Sequence, residues 1–488
     1  MRISWMGAVV VSTAVLFLGC EKKSESELLD RYQASLVELE IARKGYNYRL
    51  PWVTQRSQTK KNGVIIEGRK ILTTADDVSG HVLVRAQKNG ESRKFEASFL
   101  WIDYYANLAV IEVEDDEFWK GLKPVSLANR VPNSGLLQIL RWRSGRLETR
   151  SAEIERLFVG KGQMSYIEHL QLEVSSEIEA AGWAEVVVQN DRVVGLSSSA
   201  NGKSLTVIPS VFIKNVIQGW KSQEEAGLGY FDFAWQFGTN RALLESKGWN
   251  DPDRGVVVTR VGDKGLGNTL IKPGDIILEV DGFSVDVEGK YVDPRYGRLL
   301  FDGLATRERM ANDSISIVVW RDGKKVSIDY ELPKAEFDRD LIPDADYDET
   351  PEYYIAGGLL FQPLTGGYLS AFGKNQPFLI RYYDYERPVA DRQGLVVLSA
   401  VMPDPYNRGY EDASQLIVDT VNGNEIENLG DLIEAFEAPE GDYHVIKFFQ
   451  DQPLKTIVLD SNELGLATAR VLKRYRVPED RYLLPEKP

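Results

Sequence analysis

From about residue 44 to 222 the chain runs through short β-branched or aromatic stretches split by turn residues, and this pattern constrains the fold more than any other feature. The stretches are "GVIIEG", "HVLVRAQ", "FEASFLWID", "LAVIEVE", "LLQILRW", "IEHLQLEV", "AEVVVQNDRVVGLSSS" and "SLTVIP". Many strands at close spacing predict a β-barrel or a pair of barrels. "PSVFIKNVIQGWKSQEE" then predicts a helix opened by Pro209. A chain of 488 residues is too long for one core, and at roughly 150 residues per domain about three domains are expected.

A second unit is expected over about 226–334. Its centre, "LIKPGDIILEVDGFSV", is a Pro-Gly-Asp turn, an apolar strand and the pair Asp281-Gly282, which favours a tight type I′ turn. Asp322-Gly323 repeats the device between two further strands. A third unit, about 338–488, holds "SQLIVDTVNGNEIENLGDLIEAFE", where Asn422-Gly423 joins a strand to a helix-like run. This echoes 274–288 closely enough to predict a duplicated fold.

The N-terminus, residues 1–20, reads as a secretion signal. Arg2 supplies the positive charge and Trp5–Gly19 an apolar stretch too short to span a bilayer comfortably. It ends in "LFLGC", whose Cys20 is the single cysteine and fits a lipidation site. One cysteine also excludes an intrachain disulfide and a thiolate metal cluster. Residues 21–43 are expected to form a polar tether running into a short helix, with Leu28, Leu29, Leu36, Leu39 and Ile41 near helical spacing. A net charge of −15 argues against nucleic acid, whose phosphates this surface repels. The acidic runs at 114–119 and 344–350 lack the ligand spacing and glycine of a calcium loop and read as solvated loops. No cofactor and no metal is expected.

In the barrel region the chain resembles the HtrA/Deg family through "GVIIEGRKILT", "NLAVIEVEDDEFWKGLKPV", "LQLEV", "VVGL" and "VIPSVFIKNVIQ". Further on, "IKPGDIILEVDG", "YYIAGGLLFQPLT", "VNGNEIENLGDL" and "ARVLKRYRVPED" extend the likeness, which is closest to the plant-type Deg branch. The resemblance implies a mainly β fold, a trypsin-like double β-barrel over 44–222 followed by two PDZ-like domains. It also implies a serine, a histidine and an aspartate acting together. Carried over position by position, the histidine falls on Asp76, the aspartate on Asn107 and the serine on Ala181, or on Gly182 with one residue of slip. A glycine of the family's oxyanion loop falls on Glu179, whose charge opposes a developing anion.

A solvated carboxylate with a pKa of about 4 is a poor base for activating a hydroxyl. The three histidines, His81, His169 and His444, read as structural or exposed, and Ser175, Ser176 and Ser197–Ser199 as ordinary serines. PDZ domains add an extended peptide to a sheet edge and capture its carboxylate with backbone N–H groups. Here the capturing loop corresponds to Phe231-Asp232-Phe233, and Asp232 places a negative charge where an anion would dock.

The expectation is a non-catalytic protease-like protein that, as the resemblance implies, assembles as a homo-oligomer. It would be lipid-anchored in the cell envelope and face the periplasm, with the outer membrane favoured over the inner. It would bind polypeptide segments, or serve as scaffold or regulatory subunit for an active HtrA-type protease. The alternative is an active serine endopeptidase using a shifted alignment or a different dyad.

Overall fold

The computed structural model describes residues 26–88, 90–165, 167–179, 184–222, 227–262, 270–336, 340–344, 347–386, 392–450 and 452–485. Cys20, Ala181 and Gly182 lie outside the described residues. The chain divides into two compact units. The first is Met1–Ala42, Gln58–Val78 and Val82–Ala335; the second is Arg43–Ser57, Ser79–His81 and Glu336–Pro488.

The first unit contains two closed six-stranded barrels. One is formed by β1 (Leu36–Tyr46), β2 (Thr54–Ile66), β3 (Lys70–Thr73), β4 (His81–Lys88), β5 (Phe95–Asp103) and β6 (Leu108–Glu112), in the order β1-β2-β3-β6-β5-β4. Its first strand corrects the helix expected to include Leu36, Leu39 and Ile41. Residues 26–33 are helical, but from Leu36 onward the chain is a strand. Val37, Leu39 and Ile41 alternate with Glu38 and Glu40, which is the period of a strand with one face in a core. All three are fully buried against Ile65, Ile71, Val84 and Ile111.

The other barrel is formed by β7 (Leu137–Arg143), β8 (Arg146–Lys161), β9 (Glu168–Ser176), β10 (Val186–Gln189), β11 (Arg192–Asn201) and β12 (Ser204–Pro209), in the order β10-β11-β12-β9-β8-β7. Strand β8 was not among the expected strands. "RLETRSAEIERLFVGK" is rich in charge, yet its inward positions Ala152 and Ile154 join the barrel core of Leu137, Leu172, Val187 and Leu205. The expected helix follows at Ser210–Lys221, with Phe212, Ile213 and Val216 buried. The acidic run near 115 is partly a short helix, Asp116–Trp119, capped by the Asp115 carboxylate.

The same unit continues into a sheet of β13 (Phe233–Gln236), β14 (Val256–Val261), β15 (Ile276–Val280), β19 (Ser314–Arg321) and β20 (Lys324–Glu331), joined in that order, with β16 (Phe283–Ser284) paired to β15. A separate hairpin, β17 (Lys290–Asp293) and β18 (Gly297–Leu300), leads into a 3-10 turn at Phe301–Ala305. Asp281 and Gly282 have φ of 52° and 76°, the left-handed pair a type I′ turn requires.

The second unit carries a sheet ordered β27-β26-β24-β23-β22-β21-β28, with β25 paired to β24. These are β21 (Tyr353–Ala356), β22 (Leu359–Pro363), β23 (Val396–Val401), β24 (Leu416–Val421), β25 (Asn424–Glu425), β26 (Tyr443–Phe448), β27 (Thr456–Asp460) and β28 (Arg481–Tyr482). After Asn422-Gly423, Asn428 and Asp431 form a reciprocal capping box that starts the helix Leu429–Glu437. No described helix is long and apolar enough to cross a membrane.

Candidate functional site

The loop after β3 brings together two of the three positions at which the resemblance implies catalysis. Asp76 is buried, and its backbone N–H donates to Asn107 Oδ1 at 2.7 Å. Asn107 takes φ of 53° just before β6, a conformation asparagine tolerates better than most residues. A third participant, Lys61, carries no local mark in the sequence. Its side chain is fully buried; Nζ donates to the Asp76 backbone carbonyl and lies 3.1 Å from Asp76 Oδ1. The Asp76 carboxylate therefore faces an ammonium group within the first barrel. Asp76 is thus one partner of a buried ion pair.

The second barrel holds a comparable arrangement just past residues 180–183. Glu185 is fully buried, and its Oε1 accepts from Arg150 Nη1 at 3.0 Å and from Arg141 Nη1 at 3.1 Å, while Oε2 accepts from Arg150 Nη2. Two guanidinium groups around one carboxylate satisfy a charge that would otherwise be costly to bury. The Glu185 N–H donates to Ser197 Oγ at 2.7 Å. Ser198 Oγ donates to the Thr206 carbonyl at 3.3 Å and Ser176 Oγ to the Ile178 carbonyl at 3.1 Å. These hydroxyls are spent on backbone groups.

The histidines are placed elsewhere. His169 is buried, with Nδ1 2.9 Å from the Leu170 carbonyl and its ring stacked on Phe212 at 4.3 Å; burial pushes its pKa down to about 4. At neutral pH it is uncharged. His444 is also lowered by burial, and its Nδ1 lies 3.1 Å from Asn422 Nδ2. His81 Nδ1 lies 3.9 Å from the Asp348 carboxylate. Among the described residues no group of three or more His, Cys, Asp or Glu is arranged to hold a metal ion.

The expected carboxylate-capturing loop leads into β13, which pairs with β14 on one side and forms the edge of its sheet. Phe231 turns inward, with ring centres 5.3 Å from Phe233 and 5.7 Å from Phe301. The Asp232 N–H donates to Tyr330 Oη at 3.0 Å, and its carbonyl accepts from the Gly262 N–H at 2.7 Å. The Asp232 carboxylate lies where a Cβ at residue 262 would go, so glycine is needed there. Thus the middle amide of the loop already has a partner and an anion stands beside it. Within β13, Trp235 packs against Phe301 at 5.3 Å and its indole N–H donates to Asp302 Oδ1 at 3.0 Å.

In the second unit the corresponding edge is filled by the chain itself. Strand β21 pairs antiparallel with β22, Tyr354 opposite Phe361 and Ala356 opposite Leu359, and its other side pairs with β28. Phe436 of the helix Leu429–Glu437 packs on both Tyr354, at 5.9 Å, and Phe361, at 6.0 Å. Sequence reasoning missed this because "YYIAGGLLFQPLT" reads as a single apolar run; the Gly357-Gly358 pair inside it marks the turn.

A PDZ domain model matches residues 342–482. The Arabidopsis thaliana protein named "Putative protease Do-like 3, mitochondrial" is 24% identical over 435 residues, covering 88% of this chain and 76% of its own length. "Protease Do-like 4, mitochondrial" of the same plant is 23% identical over 447 residues, covering 88% and 82%. Among solved structures, "HtrA-type protease AlgW with decapeptide" aligns with a TM-score of 0.46 and 18% identity, over 62% of this chain and 97% of that one. Two closed barrels and a PDZ match thus stand together in a mainly β chain that is similar over most of its length to proteins named Do-like proteases.

Proposed function

We propose that this chain is a non-catalytic HtrA/Deg-like pseudoprotease that holds polypeptide, or acts as a scaffold or regulatory subunit for an active HtrA-type protease, in envelope protein quality control. In this reading Cys20 is lipidated, the protein faces the periplasm, with the outer membrane favoured over the inner, and it assembles as a homo-oligomer. The observation that carries the reading is the Lys61–Asp76 ion pair. It occupies the position where the family resemblance calls for a histidine, and it places an ion-paired carboxylate where that chemistry needs an imidazole.

The states of the two sheet edges favour holding segments other than free C-termini. The first loop has an amide already bonded and a carboxylate beside it. The edge of the second sheet is taken by β21. The alternative, an active endopeptidase, rests on the protease names of the relatives. Incubation with a labelled, permanently unfolded polypeptide separates the two. Retention without fragments is expected from a holding protein. Accumulation of fragments that a preparation lacking the chain does not produce would overturn the proposal.

A further inference from the structure

Within the first unit, the 3-10 turn Phe301–Ala305 lies against β8 and β9. Gly303 faces Val159 with space for no side chain, and Thr306 Oγ1 donates to the Glu168 carbonyl at 3.2 Å. Val159 and Leu170 of the barrel pack into the same core as Phe301 and Leu304. Asp302 of the turn is buried at this junction, within reach of the charge of Glu168 at the start of β9. Asp302 Oδ1 accepts from the Trp235 indole, whereas Oδ2 is shielded from water and accepts no hydrogen bond among the described residues. A shielded oxygen without a donor beside a second carboxyl is costly when ionised and is relieved by a proton.

Lys161, at the end of β8, is the cation that acts on both carboxyls. On the hairpin, Lys290 pairs with Glu288 at 2.8 Å, and Arg298 with Asp286 at 2.6 Å. Arg307, just past the turn, is held by Asp293 at 2.6 Å.

We propose that Asp302 is a proton-operated latch tuned by Glu168: a proton on Asp302 keeps the turn docked on the barrel and Trp235 against it, and loss of that proton releases the turn and exposes the flank of β13. Burial, then the charge of Glu168, push the Asp302 pKa up to about 7, and burial raises that of Glu168 while Lys161 pulls it back. With the turn released, Asp302 returns towards its ordinary value of about 4. The docked form therefore binds the extra proton between these limits. Docking is firmest at acid pH, weakens as pH rises towards 7, and changes little above it. The latch does not depend on whether the chain cleaves peptides.

Hydrogen exchange of the full chain at pH 5.5 and 8.0, corrected for intrinsic rates, tests this. Amides of 233–236 and 297–306 are expected to exchange severalfold faster at the higher pH, with the cores of the two barrels unchanged. Asp302→Asn keeps an acceptor for Trp235 without the charge and is expected to abolish the response; Glu168→Gln, as a second variant, is expected to reduce it. Equal protection of the wild-type segments at both pH values would overturn the latch. So would a wild-type response that persists in both variants.

Discussion

The sheet that follows the barrels in the first unit and the sheet of the second unit begin from the same device and finish differently. In each, an apolar strand ends in a left-handed pair, Asp281-Gly282 with φ of 52° and 76° or Asn422-Gly423 with φ of 51° and 81°. In the second unit the chain then enters a helix with a capping box and an apolar face of Leu429, Leu432 and Phe436. In the first it enters a hairpin and a single 3-10 turn. The sequence explains the divergence: Gly289, Pro294 and Gly297 interrupt any helix there, whereas "NLGDLIEAFE" keeps helical spacing behind its cap. One sheet continues past β22 into a strand packed by a helix, whereas the other ends at β13, whose Trp235 indole is held by a carboxyl group. A turn motif thus fixes where a sheet ends, and the residues that follow decide whether its edge is open to a partner.

Five substitutions break or sharpen that comparison. The largest effect is expected from Phe436→Ala, which removes the ring touching both β21 and β22. A buried Phe to Ala change typically costs about 3–5 kcal/mol, measured as a lower denaturation midpoint for the second unit with faster hydrogen exchange over 353–356. Unchanged exchange there would mean that the helix does not hold β21 in place. Trp235→Phe keeps the ring but removes the N–H to Asp302, and is expected to cost about 1 kcal/mol and to speed exchange at 301–305 without touching the second sheet.

Substituting alanine at Gly282 or at Gly423 tests the common device. Both glycines have positive φ and open space around the missing Cβ, so each change is expected to cost a similar ~1 kcal/mol through backbone strain alone. A large inequality would show that the two turns are not equivalent. The smallest effect is expected from Asp232→Gly. It removes the charge beside the capturing loop but leaves the amide of residue 232 bonded to Tyr330, so affinity for a C-terminal peptide, measured by fluorescence anisotropy, should improve only slightly. A gain of tenfold or more, about 1.4 kcal/mol, would make the charge the main barrier.

Much of the architecture was legible because it follows from local periodicity. Short β-branched runs and Asp-Gly or Asn-Gly turns located most strands of the barrels and both sheets. The errors have physical causes. Leu36–Tyr46 was read by the spacing of its leucines, although Glu38 and Glu40 alternate with buried residues and mark a strand. Strand β8 was passed over because its outward positions are charged. In the candidate site, Asp76 and Asn107 were located by resemblance and do lie together. Lys61 was not found, since a lysine in a polar strand carries no local mark of burial; only barrel closure brings it to Asp76. The influence of Glu168 on Asp302 was illegible for the same reason, as it depends on a junction between elements far apart in sequence.

The central claim is that no activated serine operates in the barrels, the position of the base being held by an aspartate paired to a lysine. Treatment of the full-length protein with a fluorophosphonate probe, followed by intact-mass measurement, tests it most directly. An unshifted mass is expected, under conditions in which an active serine protease is labelled to completion. Stoichiometric addition of one probe, mapped to a serine of the barrels, would contradict the account.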